Sequence, residues 1–110
     1  MYTFDELKAA AQPLLDAMFK ARHGGAFENE FFETVFVLEK GRKYHRIVQD
    51  TRNKETGEMF NQRSVAGFID NDGNILKAAG WKAPAKGIRG NIFNNPENAI
   101  DRSGYVRYLR

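Results

Sequence analysis

Hydrophobic residues recur at helical spacing over the first part of the chain. The positions that share this spacing are Phe4, Leu7, Ala11, Leu14, Leu15 and Met18. Thr3 and Glu6 form the pattern of a capping box, in which each side chain accepts a hydrogen bond from the other residue's amide. Pro13 removes one amide donor, which predicts a bend or a split in the helix at that point. We predict an amphipathic helix over 3–22, which ends where two glycines follow His23.

Four later segments have the composition and alternation of β-strands. They cover 31–39, 43–51, 63–70 and 74–79. In the first, Val35 and Val37 alternate with two other apolar residues, which predicts a strand buried on both faces. The run Asn71, Asp72, Gly73 predicts a hairpin turn between the last two segments. A helical turn with Pro96 at its first position and a short strand over 104–109 complete the prediction.

This order of elements predicts an α+β fold, with an N-terminal amphipathic helix followed by a four- to five-stranded antiparallel sheet. Two arrangements fit: an open sheet with the helix across one face, or a small barrel of the Sm-like or SH3-like kind with the helix at one end. We favour a strongly bent sheet or a small barrel, because Gly67 within a strand permits a bend or a bulge. At 110 residues the chain forms one domain, with the β-meander at about 31–79.

Residues 77–93, KAAGWKAPAKGIRGNIF, follow neither a helical nor a strand pattern. They contain three glycines, one proline, four cations, the only tryptophan of the chain and no acid. A segment this rich in turn residues cannot be one regular helix or strand. We therefore predict a basic Gly/Pro loop over 77–93, followed by a C-terminal tail over 94–110.

Charge is distributed unevenly along the chain. The net charge is +3, but residues 1–39 carry three cations against seven acids, a net of −4. Residues 40–110 carry fourteen cations against seven acids, a net of +7. The acidic and basic parts can meet within one monomer, attract another copy into a homo-oligomer, or leave a basic face free for a partner.

Several kinds of chemistry are not indicated. The chain has no cysteine, which excludes disulfides and thiolate sites and fits a reducing cytoplasm. The start of the chain lacks the features of a signal peptide, and no apolar run approaches the roughly 20 residues of a membrane span. The two histidines, His23 and His45, do not form a metal-binding pattern. We expect a cytoplasmic, non-catalytic protein without cofactor, metal or membrane partner.

Two segments carry a resemblance to other proteins. KYHRIVQ, from Lys43, and SVAGFIDNDGNILKAAGWKAPAKGIRGNIF, from Ser64, resemble an uncharacterised family of short proteins from bacteriophage genomes and environmental, including marine, sequence collections. Its motif is K-A-A-G-W-K-A-P-A-K-G-x-R-G-N-I-F, and the likeness covers about the last two-thirds of the chain without the N-terminal helix. The resemblance implies a phage-type source and a host-cell cytoplasm, but no activity.

The basic loop is the candidate binding site. In this hypothesis cations contact phosphates while Trp81 stacks on an exposed base, and amides around Gly87 and Gly90 help to bind an anion. The candidate nucleic-acid-binding residues are Arg46, Lys77, Trp81, Lys82, Lys86 and Arg89. The structural alternative is that Trp81 fills the core, the glycines supply positive φ angles and the cations are merely solvated.

Two functions follow from these alternatives. The first is a phage-type accessory protein that binds nucleic acid or an acidic protein surface through the basic loop. The run KYHR, from Lys43, fits this function because sheet-based RNA binders present aromatic side chains and cations on a strand, although the RNP-type motif is absent. The second is a self-associating structural protein in which the basic loop is a structural clamp.

Overall fold

The computed structural model describes residues 2–23, 31–61, 63–101 and 106. One helix is followed by five strands and a short 3₁₀ helix, so the predicted α+β class and antiparallel sheet are confirmed. The elements are α1 (Phe4–His23), β1 (Phe32–Glu39), β2 (Tyr44–Asn53), β3 (Ser64–Asp70), β4 (Asn74–Ala78), β5 (Pro84–Asn91) and the 3₁₀ helix (Pro96–Ala99). Of the strand predicted over 104–109, only Val106 lies within the described residues.

The capping box at the start of α1 is confirmed. The Thr3 amide donates to Glu6 Oε1 at 3.0 Å, and the Glu6 amide donates to Thr3 Oγ1 at 3.2 Å. The hydrogen bond from the Thr3 backbone holds the pKa of the Glu6 carboxyl below its ordinary value, because it favours the charged form. α1 is not split at Pro13, which is exposed. Burial of Ala11 and Leu14 on the inner side of the helix offsets the hydrogen bond that proline removes.

The five strands form a sheet in sequence order, with β1 and β5 outermost. No pairing among the described residues joins these two strands, so the described sheet is open, and the favoured strongly bent or barrel arrangement is not confirmed. The irregularity predicted near Gly67 is present, since Ile47 pairs with Gly67 while Val48 pairs with Val65. A Cβ at Gly67 would lie 2.7 Å from Val106 Cγ2, so the close approach of these segments requires glycine.

β5 was not predicted, because it lies inside the segment expected to be a loop. The amides of Ala79 and Gly80 both donate to the Ala83 carbonyl, at 3.1 and 3.2 Å, and this turn brings β5 back along β4. Gly87 has a φ of 98° and lies where the pairing register shifts. A glycine-rich strand held by backbone hydrogen bonds needs no alternation of apolar side chains. The hydrophobic pattern of the sequence therefore does not predict it.

The two sides of the sheet are covered differently. α1 packs on one side, where its apolar residues meet those of the strands in the main core. The core comprises Leu7, Ala11, Leu14, Leu15, Met18, Phe36, Leu38, Ile47, Ala66, Ile69, Ile75, Ile92, Ala99, Ile100 and Val106. Among the described elements no helix packs on the other side, which we call the open face. Its paired residues include Val37, Glu39, Arg46, Val48, Phe68, Leu76 and Ile88.

The outer strand β1 shows this difference between the two sides. Phe36 and Leu38 are buried on the helix side, whereas Val37, on the open face, is 45% exposed. The prediction that both faces of this strand are buried is therefore wrong for Val37, because α1 covers only one face of β1. The open face still buries Val48, Phe68 and Leu76, so something other than a helix covers its centre.

Candidate nucleic-acid interface

The turn between β4 and β5 contacts the open face. The Arg46 Nε atom donates to the carbonyl oxygen of Trp81 at 2.8 Å. Arg46 belongs to β2 and Trp81 follows β4, so this contact spans the intervening strand β3. Phe68, the residue of β3 that pairs with Arg46, is only 1% exposed, and the Tyr44 ring lies edge-on to it with the ring centroids 6.4 Å apart.

The indole ring of Trp81 lies against two arginine side chains. Arg46 Cζ is 4.3 Å and Arg63 Cζ is 5.4 Å from the ring centroid, both within the range of cation–π contacts. The tryptophan remains 38% exposed. It therefore lies at the surface of the open face, where part of its ring is in contact with guanidinium groups and part is accessible to solvent.

One carboxylate links the two arginines. Glu39, the last residue of β1, pairs with Arg46 in the sheet, and its Oε1 lies 3.6 Å from Arg46 Nη1. Its Oε2 accepts a hydrogen bond from Arg63 Nη2. We call Glu39, Arg46, Arg63 and Trp81 the Trp81 cluster. Two guanidinium groups and one carboxylate leave this cluster with a formal charge of +1.

Two lysines extend the positive charge beyond the Trp81 cluster. Lys82 follows Trp81 directly, and Lys86 lies on β5. Both are exposed, and neither side chain has a hydrogen bond or an ion pair to the part of the chain that the structure describes. Their ammonium groups are therefore accessible to an anion beside the open face.

The two remaining predicted cations are engaged with the backbone. Arg89 Nη1 donates to the carbonyl oxygens of Lys86 and Gly87, at 2.7 and 2.6 Å, and so supports the irregular part of β5. Lys77 alternates with Leu76 along β4, which directs it to the helix side of the sheet, and its Nζ donates to the Val106 carbonyl at 2.7 Å. The structure thus brings Arg46 and Trp81 together but does not bring Lys77 to them.

Sequence reasoning missed two members of the Trp81 cluster, Arg63 and Glu39. Both lie outside the basic loop, at the ends of strands that are distant from it in sequence. The only available signal was opposite charge on segments that become neighbours, and this signal cannot be used before the strand register is known. The seven-residue separation of Glu39 and Arg46 along the sequence does not fix that register.

A second arginine–carboxylate pair lies at the other end of β1 and β2. Arg52 Nε donates to Glu33 Oε1 at 2.6 Å, and the two residues pair in the sheet. Among the described residues there is no group of three or more His, Cys, Asp or Glu side chains that would hold a metal ion. The same residues include no helix with the length and apolar character that a membrane span requires.

These features define a class of protein: a small α+β domain with one helix-covered sheet face and one open face that carries an arginine-flanked tryptophan. The chain belongs to the family of unknown function DUF7717, whose model matches residues 3–109. This match includes α1, which the sequence resemblance left out. No curated protein and no solved structure matches the chain.

Proposed function

We propose that the open face around Trp81 binds single-stranded nucleic acid without catalysing a reaction. The observation that supports this proposal best is the half-exposed indole with two guanidinium groups against it, on a sheet face that no described helix covers. Bases of any sequence stack on aromatic rings and on arginine planes, while cations beside them bind the phosphates. Lys82 and Lys86 supply such cations.

Single strands fit this surface better than a duplex. A duplex hides its bases and is read by a helix or ribbon that enters a groove. The described open face presents instead a sheet surface and a short hairpin turn, on which an unstacked base can lie against Trp81. A ligand therefore gains stacking energy at Trp81 only when its bases are unpaired.

The setting that we propose is that of a phage-type accessory protein in the cytoplasm of a host cell. The resemblance of the KAAGWKAPAKGIRGNIF motif to short phage and environmental proteins supports this source. A non-catalytic role is supported by the Trp81 cluster itself, where the charged groups pair with one another. An acidic protein surface is the other ligand that such cations would bind.

The test is retention of a labelled oligothymidylate at different salt concentrations. If Lys82, Lys86 and the +1 charge of the Trp81 cluster neutralise three phosphates, the slope of log K against log salt is about −2 for a single strand. Affinity should then fall about 20-fold between about 50 and about 200 mM salt. Failure to retain DNA or RNA oligonucleotides at the lower concentration would rule out the proposal.

Self-association is a second candidate function, favoured by a different part of the surface. Phe31, Phe32 and Phe60 are all exposed near the start of β1, and the rings of Phe32 and Phe60 are 5.1 Å apart. Exposed apolar side chains that group together are typical of interaction surfaces. In this alternative the basic turn is a structural clamp, and the acidic part of one copy (residues 1–39) meets the basic part of another (residues 40–110). Light scattering that shows a monomer at high micromolar concentration would exclude it.

A further inference from the structure

The Trp81 cluster contains an anion of the protein's own. Resting on the proposed function above, we infer that Glu39 holds, in the unbound protein, the position that a phosphate group of the nucleic acid takes on binding. The Glu39 carboxylate thereby competes with the phosphate group for the two arginines, and this competition lowers the affinity of the site for nucleic acid.

The geometry of Glu39 is that of a bound anion. Its two carboxylate oxygens face different arginines, Oε1 toward Arg46 and Oε2 toward Arg63. A phosphate group offers the same kind of oxygen acceptors, and guanidinium groups bind carboxylates and phosphates in similar ways. A phosphate at this place would receive the hydrogen bond from Arg63 and the ionic contact with Arg46 that Glu39 now receives, beside the ring on which the adjoining base stacks.

Glu39 can leave this position at little cost to the fold. The side chains of Glu39 and Arg63 are 39% and 40% exposed, and ion pairs between exposed side chains contribute little to stability. Its distance of 3.6 Å from Arg46 is long for a hydrogen bond, so this contact is mainly Coulombic. A rotation of the glutamate side chain toward solvent would vacate the site without moving β1.

Arg46, in contrast, stays in place when the carboxylate leaves. Its Nε is bound to the Trp81 carbonyl and its guanidinium lies against the indole, and neither contact depends on Glu39. The arginine is therefore already oriented for an incoming phosphate, and binding does not have to order it.

The ion pair of Glu33 with Arg52 provides the matched control. It also joins β1 to β2 on neighbouring strands, but the Glu33 side chain is only 14% exposed and it belongs to the opposite end of the strands. Removal of the Glu33 charge changes the net charge of the protein by the same amount as removal of the Glu39 charge. Any difference in oligonucleotide affinity between the two variants therefore depends on where the removed carboxylate lies, and not on the net charge.

The experiment compares the affinity of the wild-type protein, Glu39→Gln and Glu33→Gln for a fluorescein-labelled oligothymidylate of about 12 nucleotides, measured by anisotropy. Glu39→Gln should bind roughly three- to tenfold more tightly at low salt and show a steeper salt dependence. Glu33→Gln should gain less than half of this effect. Glu39→Met removes the same charge with a similar side-chain length and serves as the second variant if the first does not fold.

The outcomes separate this inference from the proposed function. If the wild-type protein binds and a folded Glu39 variant binds equally or more weakly, Glu39 orients the arginines for binding and the inference is wrong. An equal gain for Glu33→Gln also overturns it, because the effect would then come from net charge alone. If neither the wild-type protein nor the Glu39 variants retain the oligonucleotide, the proposed function itself fails, and the inference with it.

Discussion

The two faces of the sheet bury apolar side chains by different means. On the helix side, α1 covers Ile47, Ile69 and Ile75 with its own apolar residues, and all three strand residues are fully buried. On the open face, Val48 and Phe68 are equally buried, but no described helix lies above them, and the groups on this face include the Tyr44 ring, an indole and arginine side chains. The first arrangement stabilises the fold, whereas the second leaves polar and aromatic groups at the surface where a ligand can reach them.

The largest effect should come from a cavity on the helix side. Leu14→Ala removes a fully buried side chain of α1 and should lower the free energy of unfolding by about 2–5 kcal/mol. Ile88→Ala, at a 57% exposed position of the open face, should lower it by less than about 1 kcal/mol. Urea unfolding of both variants measures the contrast, and equal losses would show that the two faces do not differ in this way.

A second comparison uses two glycines, one within β3 and one in the turn between β4 and β5. Gly67→Ala places a methyl group 2.7 Å from Val106 Cγ2 and 3.0 Å from the Leu76 carbonyl oxygen, and should destabilise the protein by about 1–3 kcal/mol. Gly80→Ala, in the turn beside Trp81, meets no atom within 4 Å and should be close to neutral. Thermal unfolding of the two variants tests this expectation. Unchanged thermal stability of Gly67→Ala would mean that β3 and Val106 are not in close contact.

Removal of the Trp81 indole should weaken oligonucleotide binding while the protein stays folded. Trp81→Ala should weaken oligonucleotide binding roughly 5- to 150-fold, because stacking contributes about 1–3 kcal/mol per base. Trp81→Phe retains an aromatic face and should lose less. Anisotropy titrations give the affinities, while circular dichroism confirms the fold. Unchanged affinity of the alanine variant would remove Trp81 from the site.

A smaller effect is expected for single lysines. Lys82→Gln should make the slope of log K against log salt shallower by about 0.7, since one phosphate contact is lost. Lys8→Gln, on the exposed side of α1, removes the same charge far from the open face and should leave the slope unchanged. Titrations at several salt concentrations measure both slopes. Equal changes would indicate that net charge, rather than the open face, attracts the ligand.

The smallest effect concerns the start of α1. Because the pKa of Glu6 is lower in the folded protein than in the unfolded chain, its carboxylate stabilises the fold above its ordinary pKa. This contribution is lost as the pH falls through the lowered value. The difference in unfolding midpoint between the wild-type protein and Glu6→Gln should therefore shrink from neutral pH to about pH 3. A difference that does not change with pH would contradict this role.

The sequence predicted the parts of the molecule that have a hydrophobic period. α1 and four strands were expected within a residue or two of their observed bounds, because burial on one side imposes that period. β5 was missed because Gly87 and Gly90 give it no apolar alternation. Arg46 and Trp81 were both named as site residues, but their contact depends on a turn that reaches across β3. Glu39 and Arg63 could not be added without the strand register.

The most direct test of the nucleic-acid proposal uses the single tryptophan of the chain as its own probe. Quenching of Trp81 fluorescence by acrylamide is measured at low salt, with and without oligothymidylate. The half-exposed indole should be quenched in the free protein, and the bound oligonucleotide should protect it. Acrylamide quenching that is identical with and without a saturating oligonucleotide would contradict a binding site at Trp81.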